Sequence, residues 1–375
     1  IRDYKVTGVQ TLCSSDLLLK SIVDDIESSN KFGKLALDLA DKFDYKDIKA
    51  RTYYVNGAFI IHSNSHIKET LSILLKAYNL GLEIGSLDFV GYSAKETCHH
   101  SYFIGKELTE LEEQTKDYID VLDTLKQFTT SNCCKIFRQS ILNFQYKDEN
   151  FGILFGEAYN EYQSIALMIE ANDVSGLHYL YLHKLILCYW FEEYEQAQEN
   201  ANKAKLYLAA GTGFISIPNF NFYESLTFLA LCTDSEYEQE NLLTLVTNNQ
   251  LKLKKWADDA PMNYLHKFYL VEAEKFRVTS QFIKAIDSYE RAITIAKENG
   301  YIHEEALANE LAAKFYLKWD KQKIAKAYLS DAYFGYLSWG AKAKVKDLQN
   351  SYPQLLEHIP VQQEINLKAY KNNYI

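Results

Sequence analysis

The sequence predicts an all-α fold, an α-solenoid of stacked helical hairpins with about seventeen helices. Three observations carry that expectation. From about Leu17 onward apolar residues fall three and four apart, the period of a helix with one buried face. Breakers are scarce: four prolines and fifteen glycines in 375 residues, beside 29 tyrosines and 20 phenylalanines whose rings give helix pairs broad contact areas. The third is a repeat of small residues at fixed spacing.

Two windows superpose at a shift of 40 residues, LVEAEKFRVTSQFIKAIDSYERAITIAKENG and ELAAKFYLKWDKQKIAKAYLSDAYFGYLSWG. Ala273 pairs with Ala313, Ala285 with Ala325, Ala292 with Ala332 and Gly300 with Gly340. Ala58, Thr70, Ala77 and Gly85 keep the same internal steps of 12, 7 and 8. A degenerate copy follows Tyr194, with Ala197, Ala204 and Gly211. Small residues suit positions where helices A and B of a hairpin cross closely, with Phe276, Tyr316 and Tyr289 beside them. Glycine after helix B takes the left-handed closing conformation without steric cost. The pattern resembles the tetratricopeptide repeat.

Along the chain, residues 1–17 (IRDYKVTGVQTLCSSDL) lack this period and read as a non-native or disordered leader; they look like translated sequencing-adapter sequence. Residues 18–357 read as the solenoid, with subdivisions expected near 144–152 (FQYKDENFG) and 211–221 (GTGFISIPNFN). Periodicity fades after Pro353, and 358–375 read as a frayed tail or linker toward a missing downstream domain.

Composition excludes several functions. A net charge of −10 without a basic run argues against nucleic acid, and no apolar stretch approaches the ~18 residues of a membrane span. Six scattered cysteines form no C-x-x-C and read as free thiols in a reducing cytoplasm. His62 and His66 fall in a hairpin turn where polar residues cap and meet solvent, and adjacent helical residues diverge by ~100°, so Cys98, His99 and His100 do not converge on one ion. His178 and His183 sit in a nearly all-round apolar helix and read as core or partly buried residues. Gly211-Thr212-Gly213 follows no strand, which argues against a phosphate loop, and the carboxylates Glu107, Glu110, Glu112, Glu113, Glu192, Glu193, Asp258 and Asp259 read as solvated faces. No catalytic, cofactor or metal site is expected.

The segments KARTYYVNGAFIIHSNSHIKET (49–70), LDFVGYSAKETC (87–98), LCYWFEEYEQAQENANKA (187–204), FYESLTFLAL (222–231), APMNYLHKFYLVEAEKFRV (260–278), YIHEEALANELAAKFYLKW (301–319) and WGAKAKVKDLQNSYPQLL (339–356) resemble the helical middle region of large bacterial signal-transduction multikinases. In that family a Ser/Thr-kinase-like domain and an AAA/STAND-type ATPase precede a tetratricopeptide-like region, followed by a GAF sensor and often a histidine kinase. The resemblance spans roughly residues 30–357. It implies a non-catalytic cytoplasmic region that contacts neighbouring ATPase and GAF/kinase domains or a protein effector; a stand-alone tetratricopeptide adaptor or co-chaperone is the alternative. In tetratricopeptide units helix A lines a concave groove. The expected partner face therefore carries Lys267, Glu274 and Arg277, then Glu310 and Lys314, each set on one side of its helix.

Overall fold

A computed structural model describes residues 25–42, 45–146, 149–232 and 236–356. The expected leader (1–17, with Cys13) and tail (358–375) lie outside the described residues. Among the described residues the chain is all helical, without strands apart from one isolated bridge between Phe155 and Asn160.

The α-helices run in chain order as α1 (Ile26–Lys42), α2 (Lys46–Val55), α3 (Lys68–Ile84), α4 (Leu87–Phe103), α5 (Leu108–Thr124), α6 (Phe128–Tyr146), α7 (Glu161–Glu170), α8 (Val174–Trp190), α9 (Tyr194–Lys205), α10 (Ser216–Leu231), α11 (Glu236–Asp259), α12 (Pro261–Val278), α13 (Phe282–Glu298), α14 (Ile302–Lys318), α15 (Gln322–Trp339), α16 (Lys342–Ser351) and α17 (Pro353–Leu356). Between α2 and α3 the chain winds first as a π-helix, Asn56–Ile60, then as a 3-10 turn, Ile61–Ser63. Consecutive helices pack as antiparallel pairs, most extensively α14 on α15, α12 on α13 and α3 on α4.

Local chemistry sets the helix ends. Side-chain oxygens of Glu107, Asn160 and Asp173 accept the first free amides of α5, α7 and α8, and Pro261 opens α12, where its missing N–H costs no helical bond. Gly85 and Gly340 close α3 and α15 at φ of 71° and 91°. The first helix of each late hairpin closes in the same left-handed way without glycine. Ser280 (φ 58°) and Asp320 (φ 54°) stand 40 residues apart, and the next amide reaches back to Phe276 O and Tyr316 O at 2.8 Å in each case. The A-to-B turn thus repeats with the alanines.

The helical run does stop after Tyr146 and resumes at Glu161, while buried apolar residues continue on both sides of each expected break. Helix α6 continues through Tyr146, and α10 starts at Ser216, so Pro218 falls in its first turn where an amide has no helical partner. Gly211 does not close a helix. It ends a 3-10 turn (Leu208–Gly211), and a Cβ there would meet the His178 ring at 2.6 Å. One apolar core runs from Ile67 to Leu356, with a smaller cluster around Tyr53–Ala77.

The largest departure from expectation is the course of the superhelix. An open solenoid leaves the inner faces of its helices to solvent. Here Ser93–Phe103 of α4, Gly176–Leu180 of α8, Asn219–Leu229 of α10 and Ile302–Ala313 of α14 are buried without interruption. Helix α16 packs on α6, and Trp339 lies 5.1 Å from Phe144, 5.3 Å from Trp190 and 5.1 Å from His303, ring centre to ring centre. The chain has wound round and closed on itself.

Asn263 fastens the closure. Its Nδ2 donates to the carbonyls of His62 (2.9 Å) and Ser65 (2.8 Å). Its Oδ1 accepts from the Ile67 amide (3.1 Å) and the Tyr301 hydroxyl (2.8 Å). The first hairpin turn is thereby tied to α12 and α14 across some two hundred residues of sequence. His62 adds a 3.0 Å bond between Nδ1 and the Tyr264 hydroxyl, and His66 Nε2 bonds Asn299 O at 2.9 Å.

Candidate functional site

The small residues of the repeat all lie inside. Ala58, Ala77, Ala273, Ala285, Ala292, Ala313, Ala325 and Ala332 are at most 1% exposed. Thr70, at the middle position of its copy, is also buried, its hydroxyl bonded to Ile67 O and 2.7 Å from His100 Nδ1. Gly300, like Gly85 and Gly340, has a left-handed backbone, at φ 75°.

The expected partner face is a different matter. Lys267 is 2% exposed and paired with Glu304, which also bonds His266. Burial pulls the Lys267 ammonium below its usual range against the attraction of Glu304. Burial also opposes ionisation of Glu304, yet Lys267 and His266 outweigh it and hold the carboxyl low. Glu310 is 1% exposed, accepting from Lys314 at 2.6 Å, Lys344 at 3.1 Å and the Tyr336 hydroxyl at 2.5 Å. Desolvation works against its charge, but Lys314 and Lys344 bring its pKa down to about 2. These three side chains face other helices of the same chain. The inner face is charged, as read from the sequence, but it is not an open groove, because closure brings opposite charges within reach of one another.

Glu274, Arg277 and Lys314 meet a cleft of about 440 Å³ with Tyr189, Tyr194 and Tyr352. Its ions are already engaged. Arg277 Nε donates to Glu274 at 2.8 Å and its terminal nitrogen to Leu229 O at 3.1 Å, Glu274 also accepts from Tyr289, and Lys314 pairs with Glu192 at 2.8 Å. Glu274, itself buried, and Arg277 thus hold α12 to α10 and α13.

The other chemistry-bearing residues are likewise absorbed. His62 is buried at the seam rather than solvated, a correction that follows from closure. Glu96 lies 2.7 Å from Lys95 and accepts from Tyr179 at 3.2 Å, while His99 stacks on Phe137 at 4.8 Å. Burial lowers His178 and His303 to about 3, leaving both imidazoles neutral at pH 7. Cys133 is buried and pushed up to about 12, so its thiol stays protonated and unreactive. Of the carboxylates read as solvated, Glu107 caps α5 and Glu112 binds Arg138 at 2.6 Å. Among the described residues no three His, Cys, Asp or Glu side chains are placed to share a metal ion, and no helix is long and apolar enough to cross a membrane.

A cleft of about 640 Å³ was not foreseen from sequence. It lies on the seam, where residues 62–63, the start of α10 and one face of α11 meet. Phe214, Phe220, Trp256 and Tyr264 give it aromatic walls. Its buried floor includes Asn221, Asn249 and Glu224, the last accepting from Asn249 at 2.8 Å and lying 2.6 Å from Lys205. The only sequence signal was the glycine-proline stretch at 211–221, which shapes one wall.

No protein-family model matches the chain. A segment of 63 residues, 17% of the chain, is 41% identical to part of the hybrid signal transduction histidine kinase G of Dictyostelium discoideum. That segment spans 2% of the relative's length. The likeness is therefore to a signal-transduction kinase, over a small part of both proteins.

Proposed function

We propose that this chain is a regulatory and scaffolding region of a multidomain signalling kinase, with no reaction of its own. The observation that carries the reading is the repeated hairpin frame, joined to a local likeness to a histidine kinase. Stacked helical repeats present large rigid surfaces, which suit docking of neighbouring domains or a protein effector. The buried ion pairs support it too. They fix how the helices sit on one another, so a contact made at one hairpin is felt at the next. The finer reading places the chain between an AAA/STAND-type ATPase and a GAF or kinase domain, and it rests on the sequence resemblance.

The test is a binding assay between the purified chain and the domains encoded beside it in the same reading frame. Capture of an ATPase, GAF or kinase domain supports the scaffold. Recovery of neither neighbour nor any other protein, with start and stop codons close to these ends, contradicts it.

A further inference from the structure

Although closure buries most of the charged inner face, Glu274, Arg277 and Lys314 still border open space, the cleft of about 440 Å³. That volume falls in the range of ligand sites. Four alternate helices, α8, α10, α12 and α14, end around it, joined by Tyr194 at the start of α9 and by Tyr352 between α16 and α17. Tyr189 is 3% exposed and lines the cleft, yet its hydroxyl bonds no other described residue. The same holds for the hydroxyls of Tyr194 and Tyr352, which are half-buried. Burial raises the pKa of all three, and Lys314 works against it in each case, so three neutral hydroxyls gather about one ammonium. A buried hydroxyl without a partner is costly, and an oxygen atom of an occupant would supply one.

Charge narrows the class of occupant. The lining holds three cations, Arg277, Lys314 and Lys318, and two acids, Glu192 and Glu274; Glu310, 2.6 Å from Lys314, makes the third acid. Lys344 and Asp347, 2.9 Å apart beside Glu310, add no net charge. An anion or a cation entering alone would upset this balance and meet its own sign as well as the opposite one. A zwitterion adds no net charge and finds a partner for each end. The bridge from Lys314 to Glu192 is the one that can open to it. Glu192 stands in the turn after α8 with its side chain 43% exposed, whereas Glu274 and Glu310 are buried and each holds a further partner. Lys314 keeps Glu310 when Glu192 turns away, so no buried charge is stranded. Beside these charges Ala230, Leu311 and Leu317 supply apolar lining.

We propose that this cleft binds a free α-amino acid with an apolar side chain. Its carboxylate takes Lys314 and the tyrosine hydroxyls, its ammonium takes Glu192, and its side chain lies against Ala230, Leu311 and Leu317. The inference goes beyond the scaffold reading and does not depend on it. Because the lining comes from α8, α10, α12 and α14, a bound amino acid ties successive hairpins together and stabilises the closed superhelix.

The experiment is calorimetric titration of the full chain with free leucine and free phenylalanine, beside thermal melts. At least one of the two is expected to bind and to raise the melting temperature. Its N-acetyl derivative, which lacks the ammonium, and its amide, which lacks the carboxylate, should each bind about tenfold more weakly, or worse. Glu192→Gln should weaken binding of the amino acid about tenfold and leave that of the N-acetyl derivative unchanged, whereas Tyr189→Phe should weaken both. The two variants should melt with the wild type, since Glu192 is exposed and the Tyr189 hydroxyl holds no other described residue. Binding of neither amino acid overturns the proposal. So does equal binding of the N-acetyl derivative, which would mark an anion site, or of the amide, which would mark a cation site. Binding that both variants leave unchanged lies elsewhere and overturns it too. Failure of the scaffold reading shows separately, in the assay with neighbouring domains.

Discussion

Replacing Asn263 by alanine removes one side chain and four hydrogen bonds. Two carbonyls, His62 O and Ser65 O, lose their donor, and the Ile67 amide and Tyr301 hydroxyl lose their acceptor. The bond lengths of 2.8–3.1 Å are ordinary, so each contributes about 1 kcal/mol net. The Ile67 amide is buried and stays unsatisfied, whereas the Ser65 carbonyl is partly buried and can reach water. Together the loss should be about 3–4 kcal/mol, a large share of a typical folding stability. Asn263→Asp keeps the two accepted bonds but sets a carboxylate against two carbonyls, and should cost at least as much. The assay is urea unfolding followed by circular dichroism, with hydrogen exchange of the Ile67 amide as the local reporter. A loss below about 1 kcal/mol with Ile67 still protected would show that Asn263 does not hold the seam.

Three further outcomes follow from the interior. Ala285→Phe or Ala325→Phe, each at a fully buried crossing, should lower stability by about 1–3 kcal/mol, and an unchanged melting temperature would place the crossings elsewhere. Lys267→Met leaves Glu304 buried without its ammonium and should cost about 3–5 kcal/mol, with partial recovery on adding Glu304→Gln; urea midpoints of the single and double variants measure it. Acid should destabilise the chain well before ordinary carboxylates titrate. His178 and His303 resist protonation until pH about 3 when folded but take protons below about 6.5 when unfolded, so their contribution is complete above that pH and lost as pH falls. At pH 5 the loss is about 2 kcal/mol for each, and Glu310, held at about 2, adds its own loss below the normal carboxylate range. Equal urea midpoints at pH 7 and pH 5 would contradict this.

The hairpin frame was legible because it is local. Alanines 12 and 7 apart and a glycine 8 later depend only on how two adjacent helices cross, and Ala273 to Gly340 show that crossing twice. The Ser280 and Asp320 turns were missed because polar residues in left-handed turns carry a weaker signal than glycine. Closure was not legible at all. Asn263 pairs with residues about two hundred positions away, and nothing in a charged helix face says whether it will meet water or another helix. Lys267, Glu274 and Glu310 therefore read as a solvated groove although their partners lay in the same chain. Helix α14 holds the clue in hindsight: YIHEEALANELAA has no clear polar side, and every residue from Tyr301 to Ala313 is buried. The seam cleft was invisible for the same reason, since its walls come from distant segments.

Closure of the superhelix decides whether the inner face is interior or groove, and the distance across the seam measures it directly. Lys68 and Glu298 are exposed and flank the bond between His66 and Asn299 O. In a background with Cys13 and Cys232 changed to serine, Lys68→Cys and Glu298→Cys would carry spin labels for dipolar spectroscopy. A closed superhelix gives a single, narrow, short-distance peak, which broadens or lengthens when Asn263→Ala is added. A broad distribution at long distance in the otherwise unaltered chain would mean an open solenoid, with Lys267, Glu274 and Glu310 returned to solvent.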